Sequence, residues 1–359
     1  MKTRASAAAD LRSVGDPRRL RALVLAVLVV LLAAVPLVTQ AYYTWIVASV
    51  LLLALFAAGF NVLFGYTGLL SFGHAAFFGV GAYASALVLR AWPSLPLAVL
   101  VGVLAAGVVG VVIGYLSLRH TDIYFAMLTL AFGMMIHSVI WRWRTITGGD
   151  DGLPGVPRGV LGIPGWGVDL SSLDRFYYVV LVVTIVGVYV LWRLVRSPLG
   201  LTFQGIRDNE TRVAYAGVAV RRVRLVSFTV SALYAGLAGS LWSPLNTNAG
   251  PGMAHWTFSA EPVLASLLGG AHVFGGPLVG AFLLFFIKQM VVQFTQYWLL
   301  VLGVIVVVLV LAFRGGVASV ALALGPRIPG VRRLQSRDAP GGARVENADR
   351  VSSTGGSDG

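Results

Sequence analysis

Tyr66, Ser71, His74 and Tyr83 are polar residues of one glycine-rich segment, Gly65-Tyr-Thr-Gly-Leu-Leu-Ser-Phe-Gly-His-Ala-Ala-Phe-Phe-Gly-Val-Gly-Ala-Tyr83, which also holds Gly65, Gly68, Gly73, Gly79 and Gly81. The segment interrupts one long apolar run and opens another. Backbone at membrane depth leaves the helix only where protein or a water-filled cavity satisfies its freed N–H and C=O groups, so a break of this kind lines a path. A second reading stands beside this one: the glycines are small residues at helix contacts, and His74 makes an interhelical hydrogen bond. Glu261 and Lys288 are the other costly side chains in apolar surroundings, able to pair or to bind a coupling proton. Glu261 precedes Pro262 near a helix start, which favours a cap at the water interface. Lys288 is placed to snorkel or to face a partner. His137 and Asp122 lie near span ends and are assigned structure before function.

Hydrolytic chemistry has no support. No P-loop pattern G-x-x-x-x-G-K-[ST] occurs, and the lysines are Lys2 and Lys288 alone. No H-E-x-x-H, G-x-S-x-G or carboxylate pair sits in a helix context suited to hydrolysis, and the chain has no cysteine, hence no disulfide, thiolate metal site or cysteine nucleophile. The expectation is a non-catalytic chain without a metal site.

The elements that position these residues are membrane helices. Hydrophobic residues make up 57% of the 359, charged residues 11%, and the mean hydropathy is +0.83. About 20 apolar residues span a bilayer, and about ten such runs can be marked: Leu20 to Val38, Tyr42 to Phe64, Ser71 to Leu89, Leu95 to Leu118, Tyr124 to Trp143, Phe176 to Val195, Val223 to Leu241, Phe258 to Leu268, Pro277 to Phe294 and Tyr297 to Phe313. The fold class expected is therefore all-α, a polytopic membrane protein with some helices broken by glycine-rich segments. The first run follows Arg18, Arg19 and Arg21 and is read as a signal anchor with its N-terminus inside.

The formal charge of +13 reflects positively charged loops held on the cytoplasmic side, and nucleic acid is not needed to explain it. Counting spans from an internal N-terminus places three basic clusters together: the first 21 residues, the loop from Arg196 to Arg224, and the tail after Arg314. The organisation expected is a basic cytoplasmic tail over 1–19, a transmembrane domain over 20–315 and a cytoplasmic tail over 316–359, disordered beyond 337. Within the transmembrane domain lie an external loop, 144–175, and a cytoplasmic loop, 196–222. The segment from Arg142 to Arg175 carries four arginines among Asp150, Asp151, Asp169 and Asp174, against the charge rule, which long translocated loops obey poorly. In the cytoplasmic loop Pro198 and Gly200 punctuate the start. Asp208 or Asn209 can cap a short helix running to about Ala216, and Gly217 suits the residue after it. Such a helix presents a knob to a soluble partner, while a solvated basic loop that only anchors topology is the alternative.

Several of these blocks together resemble the LivM-type permeases of ABC importers for branched-chain amino acids. The first segment is similar to that family's G-Y-x-G-x-x-S-x-G-x-A-A-F-x-x-x-G-A-Y block, and Gly205-Ile-Arg-Asp-Asn-Glu210 through Ala214 to Gly217-Val218 is similar to its A-I-R-x-N-E-x-x-A-x-x-x-G-[IV] signature. The likeness continues in Tyr124–Leu130, Thr147–Leu153, Ser231–Gly239 and Leu268–Ala281, and covers about Tyr42 to Phe313. Leu69, Gly205 and Leu201 depart from the family's usual residues.

The resemblance implies a permease subunit in the cell inner (plasma) membrane, multi-pass, with both termini cytoplasmic. It implies a second related permease, two ATP-binding subunits, an extracytoplasmic substrate-binding protein, and no cofactor in this chain, ATP being bound by the partners. It places Ile206, Arg207, Asp208, Asn209, Glu210, Ala214 and Gly217 at the ATPase docking site. Thr147, Gly148, Gly149, Asp150 and Asp151 become a contact for the binding protein, or an ordinary surface turn. A leucine-like solute is a zwitterion with an apolar side chain; its path needs N–H groups, acceptors and apolar walls, which broken helices supply. Tyr66, Ser71, His74 and Tyr83 are expected closest to that path, with Gly65, Gly68, Gly73, Gly79 and Gly81 permitting the break. Rival readings are an importer of urea, amides, sugars or other amino acids, an ion-coupled secondary transporter using Glu261 and Lys288, and a membrane scaffold.

Overall fold

The computed structural model describes residues 17–120, 122–162 and 167–294, and single positions between 297 and 316. The chain is helical: α1 Pro17–Val38, α2 Ala41–Asn61 continued by a π turn Val62–Tyr66, α3 His74–Ala91, α4 Leu95–Ser117, α5 Asp122–Arg142, the single turn α6 Arg144–Thr147, α7 Leu173–Val195, α8 Pro198–Tyr215, α9 Val220–Asn246, α10 Trp256–Gly269 and α11 Gly276–Phe294. Two-residue strands form two small ladders, β1 Leu153–Pro154 with β4 Asn248–Ala249, and β2 Val160–Leu161 with β3 Val168–Asp169.

Among the described residues seven helices are long and apolar enough to cross a membrane: α2 with its π turn, α3, α4, α5, α7, α9 and α11. The expected count of about ten is met only in part. The apolar part of α1, Ala26–Val38, falls short of that length. The run Phe258 to Leu268 lies in α10, a 14-residue helix, and most of Tyr297 to Phe313 lies outside the described residues, as does the tail.

The centre of the bundle is α9, which packs on α2, α3 and α4. Its approach to α4 is licensed by a small residue every fourth position of α4, Gly102, Ala106, Gly110 and Gly114, all buried, opposite Ala232, Gly236 and Ser240 of α9. In lipid, close van der Waals packing of backbones replaces the hydrophobic drive between helices, so small residues mark the seam. A Cβ on Gly81 of α3 would stand 2.4 Å from the Gly236 carbonyl, and one on Gly239 would stand 2.0 Å from that of Phe78.

A proline inside a helix leaves the carbonyl four residues back without its usual N–H, as at Pro36 and Pro244. Pro36 frees the carbonyl of Leu32, to which the Tyr177 hydroxyl donates at 2.6 Å. Pro244 frees that of Ser240, to which the Ser85 hydroxyl donates at 3.0 Å. A spanning helix tolerates proline on this condition, because nothing in hydrocarbon can satisfy a stray carbonyl.

The ladder β1–β4 brings 144–172 and the turn after α9 to one end of the bundle. There Arg90 donates to the carbonyl of Pro154, and hydrogen bonds from the Ser171 hydroxyl and amide hold the Asp169 carboxyl below the usual carboxylate range. At about 1.5 Å per residue α7 is roughly 35 Å long, so α8 lies at the opposite end.

Candidate functional site

The break begins where α2 widens into its π turn. Beyond it Gly68 takes φ +79°, a left-handed conformation that glycine adopts without a Cβ penalty. The chain stays non-helical to Gly73, and α3 starts at His74. A hydroxyl from α9 covers the opened backbone: Ser227 Oγ is hydrogen-bonded to Thr67 Oγ1 at 2.6 Å, and the two oxygens lie 3.3 and 2.9 Å from the Val62 carbonyl oxygen. The Asn61 amide donates to the carbonyl of Ala271 at 3.0 Å. His74 is buried with both ring nitrogens engaged, Nδ1 with Ser71 Oγ at 3.0 Å and Nε2 with Ser231 Oγ at 2.7 Å. Phe60, Phe77 and Phe228 meet its ring edge to face.

The glycines of the segment stand at close approaches. A Cβ on Gly65 would lie 2.3 Å from the Ala271 carbonyl, on Gly73 2.1 Å from that of Thr129, and on Gly79 2.6 Å from Ala254 Cβ. Tyr66, Ser71, His74 and Tyr83 are buried within this single chain, and Tyr83 Oη has no hydrogen-bond partner among the described residues; Gly68 is exposed.

What lies against Gly68 is Arg207 of α8, whose Cγ would be 2.9 Å from a Cβ at that position. Its guanidinium donates to the Gly65 carbonyl at 2.6 Å and pairs with Asp208 at 3.0 Å. A side chain of the extramembrane helix thus holds the backbone of the break directly. α8 itself is two helices merged across a kink at Asn209 (φ −162°, ψ 97°), whose side chain accepts from the Arg212 amide at 2.9 Å. Asn209 is therefore the cap of the second half, and Gly217, φ +85°, follows its end. Phe203 and Ile206 bury the first half, while Glu210 accepts two bonds from Arg224 of α9, at 2.9 and 2.8 Å. Ala214 and Gly217 are exposed.

At the other end, the Thr147 hydroxyl donates to the Ile140 carbonyl at 2.6 Å and accepts from the Gly149 amide at 3.3 Å. Gly148 and Gly149 both have positive φ, and Asp150 and Asp151 are exposed. Sequence reasoning did not anticipate Ser227 and Ser231, although their four-residue spacing on a helix opposite the break was a usable signal.

Glu261 is not at the start of its helix. α10 begins at Trp256, with His255 as its cap, so Glu261 falls in the second turn and pairs with Lys288 of α11 at 2.5 Å. Their side chains are 17% and 34% exposed. Removing one member of such a pair leaves an uncompensated charge, whereas removing both is often nearly neutral. Lys288→Met is therefore expected to lower the melting temperature more than Glu261→Gln/Lys288→Met does. ATP-driven uptake by the double variant is expected within about threefold of wild type; loss of uptake in it would restore the ion-coupled reading.

Fold and site together define a polytopic helical membrane protein in which a kinked helix outside the bundle grips a broken membrane helix. The chain belongs to the family described as branched-chain amino acid transport system, permease component, which matches residues 42–311. It is similar to the high-affinity branched-chain amino acid transport system permease protein LivM of Escherichia coli (strain K12), 30% identical over 313 residues, 80% of this chain and 73% of that one. The permease protein LivH of the corresponding Salmonella typhimurium system is 24% identical over 247 residues, 64% of this chain and 79% of that one. The autoinducer 2 import permease LsrC of Enterobacter sp. (strain 638) is 34% identical over 107 residues only, 27% of this chain and 29% of that one. No solved structure matches significantly.

Proposed function

We propose that this chain is the membrane-spanning, non-catalytic subunit of an ATP-driven importer, carrying leucine, isoleucine and valine delivered by an extracytoplasmic binding protein. A second related permease completes the pore, and two ATP-binding subunits dock on the end that carries α8. That end is then cytoplasmic, with both termini, in the inner membrane. The binding protein meets the opposite end, at Thr147 to Asp151. The similarity to LivM and LivH supports the choice of solute.

The observation that carries the mechanism is the Arg207 bond to the Gly65 carbonyl. Closure of the ATP-binding subunits shifts α8, and Arg207 passes that shift to the break, where the interrupted helix yields more readily than a continuous one. Movement there exposes Tyr66, Ser71, His74 and Tyr83 toward the solute. A hydrogen bond to a charged donor contributes about 1.5–3 kcal/mol when well shielded, and a factor of ten corresponds to about 1.4 kcal/mol. In proteoliposomes holding the whole complex, Arg207→Ala is expected to lower leucine uptake at least about tenfold while ATP hydrolysis stays within about twofold. Arg207→Lys restores part of the uptake. Wild-type uptake by Arg207→Ala overturns the coupling role.

A further inference from the structure

We propose that Arg119 and Arg221 hold the phosphate of an anionic phospholipid whose acyl chains lie along the outward ridge of α4. Both guanidiniums converge on one ring, that of Tyr115, at 5.9 and 5.2 Å from its centroid, and Arg221 is fixed further by donating to the Tyr115 carbonyl at 3.1 Å. Like charges gathered on one ring repel unless an anion joins them. Among the described residues neither has a carboxylate at ion-pairing distance. Asp122 lies nearest in sequence but sits in the first turn of α5, where the helix dipole favours a negative charge.

The surface leading to this cluster is apolar and faces outward. Leu104, Val108, Val112 and Tyr115 follow one another at three- and four-residue spacing on a single face, each more than half exposed. From Leu104 to Tyr115 the helix rises roughly 16 Å, about half of the ~30 Å hydrocarbon core, which is the depth of one leaflet. The guanidiniums therefore stand at headgroup level with a chain-length strip below them. Arginine suits the role because its planar fork bonds phosphate oxygens in pairs. An amphiphile with an anionic head matches both parts of this surface; a free anion matches only one.

The test is native mass spectrometry of the purified complex in mild detergent, with phosphatidylglycerol or phosphatidylcholine added. Wild type is expected to retain phosphatidylglycerol in preference. Each arginine near an anionic surface contributes about fivefold, so Arg119→Gln/Arg221→Gln should retain at least tenfold less. Val108→Ser/Val112→Ser, which keeps both arginines, should also lower retention, and it stands in if the first variant fails to fold. Unchanged retention in these variants overturns the proposal, as does equal retention of the two lipids. Displacement of the lipid by millimolar inorganic phosphate would mean a simple anion site. Loss of the second permease from the variant complex, with lipid retention unaltered, would mean that a protein covers this face.

Discussion

Replacing Gly73 with valine is expected to abolish leucine uptake, by more than about a hundredfold, in a chain that still inserts. The position has no room: a Cβ would stand 2.1 Å from the carbonyl oxygen of Thr129 and 2.9 Å from its carbon. The facing residue on α5 is itself a glycine, Gly133, whose own Cβ would be 3.0 Å from Gly73 Cα. Both clashes are with backbone, so no rotamer change relieves them and α3 must part from α5. Overpacking of this kind costs roughly 1–3 kcal/mol, which a packed bundle can survive. The displacement falls at the first residues of α3, beside His74 and the break, so function suffers more than folding. Thermal unfolding separates the possible causes. Lost uptake with wild-type melting places Gly73 in the moving part of the path; lost uptake with lowered melting makes it a packing contact. Wild-type uptake excludes both. Gly73→Ala, with one added carbon, should fall between valine and wild type in each measurement.

Local chemistry was legible in the sequence and distant pairing was not. Apolar run length located α2 to α5, α7, α9 and α11, because a bilayer demands about 20 apolar residues whatever surrounds them. The cap at Asn209 and the left-handed Gly217 followed from neighbours in sequence. The first half of α8 did not: Pro198 and Gly200 read as loop residues, yet Pro198 occupies the opening turn, where no N–H is needed, and Gly200 is buried against the Val195 backbone. Arg207 reads as a surface docking residue, and only the fold reveals its bond to Gly65, 142 positions away. The hydroxyls of Tyr177 and Ser85 were equally unreadable, since a freed carbonyl specifies that it needs a donor but not which helix brings one. Glu261 was misplaced for a related reason. Pro262 suggested a helix start, but proline is accepted in the second turn here, and Lys288 from α11 supplies the partner.

Charge reversal at Glu210 is expected to cut uptake about tenfold or more without unfolding the protein, and exchanging its partner is expected to bring uptake back. Arg224 grips Glu210 through two parallel hydrogen bonds, with side-chain exposures of 12% and 45%. A half-exposed pair of this kind contributes no more than about 1 kcal/mol to stability. Its effect is geometric instead. It ties the second half of α8 to the first turn of α9, on the far side of the Gly217 turn, so that the helix moves as one piece with the bundle. Glu210→Arg sets two guanidiniums against each other and frees that half of α8, while Phe203 and Ile206 still anchor the first half. ATP hydrolysis by the complex should therefore continue while transport falls. Glu210→Arg/Arg224→Glu rebuilds the pair with its charges exchanged and should recover uptake to within about threefold of wild type. If the exchange fails to restore transport although Glu210→Arg alone abolishes it, Glu210 acts on the surface of the ATP-binding partner and not through Arg224. If Glu210→Arg alone transports normally, α8 does not carry the signal to the bundle by this tie, and Arg207 is left as the remaining link between them.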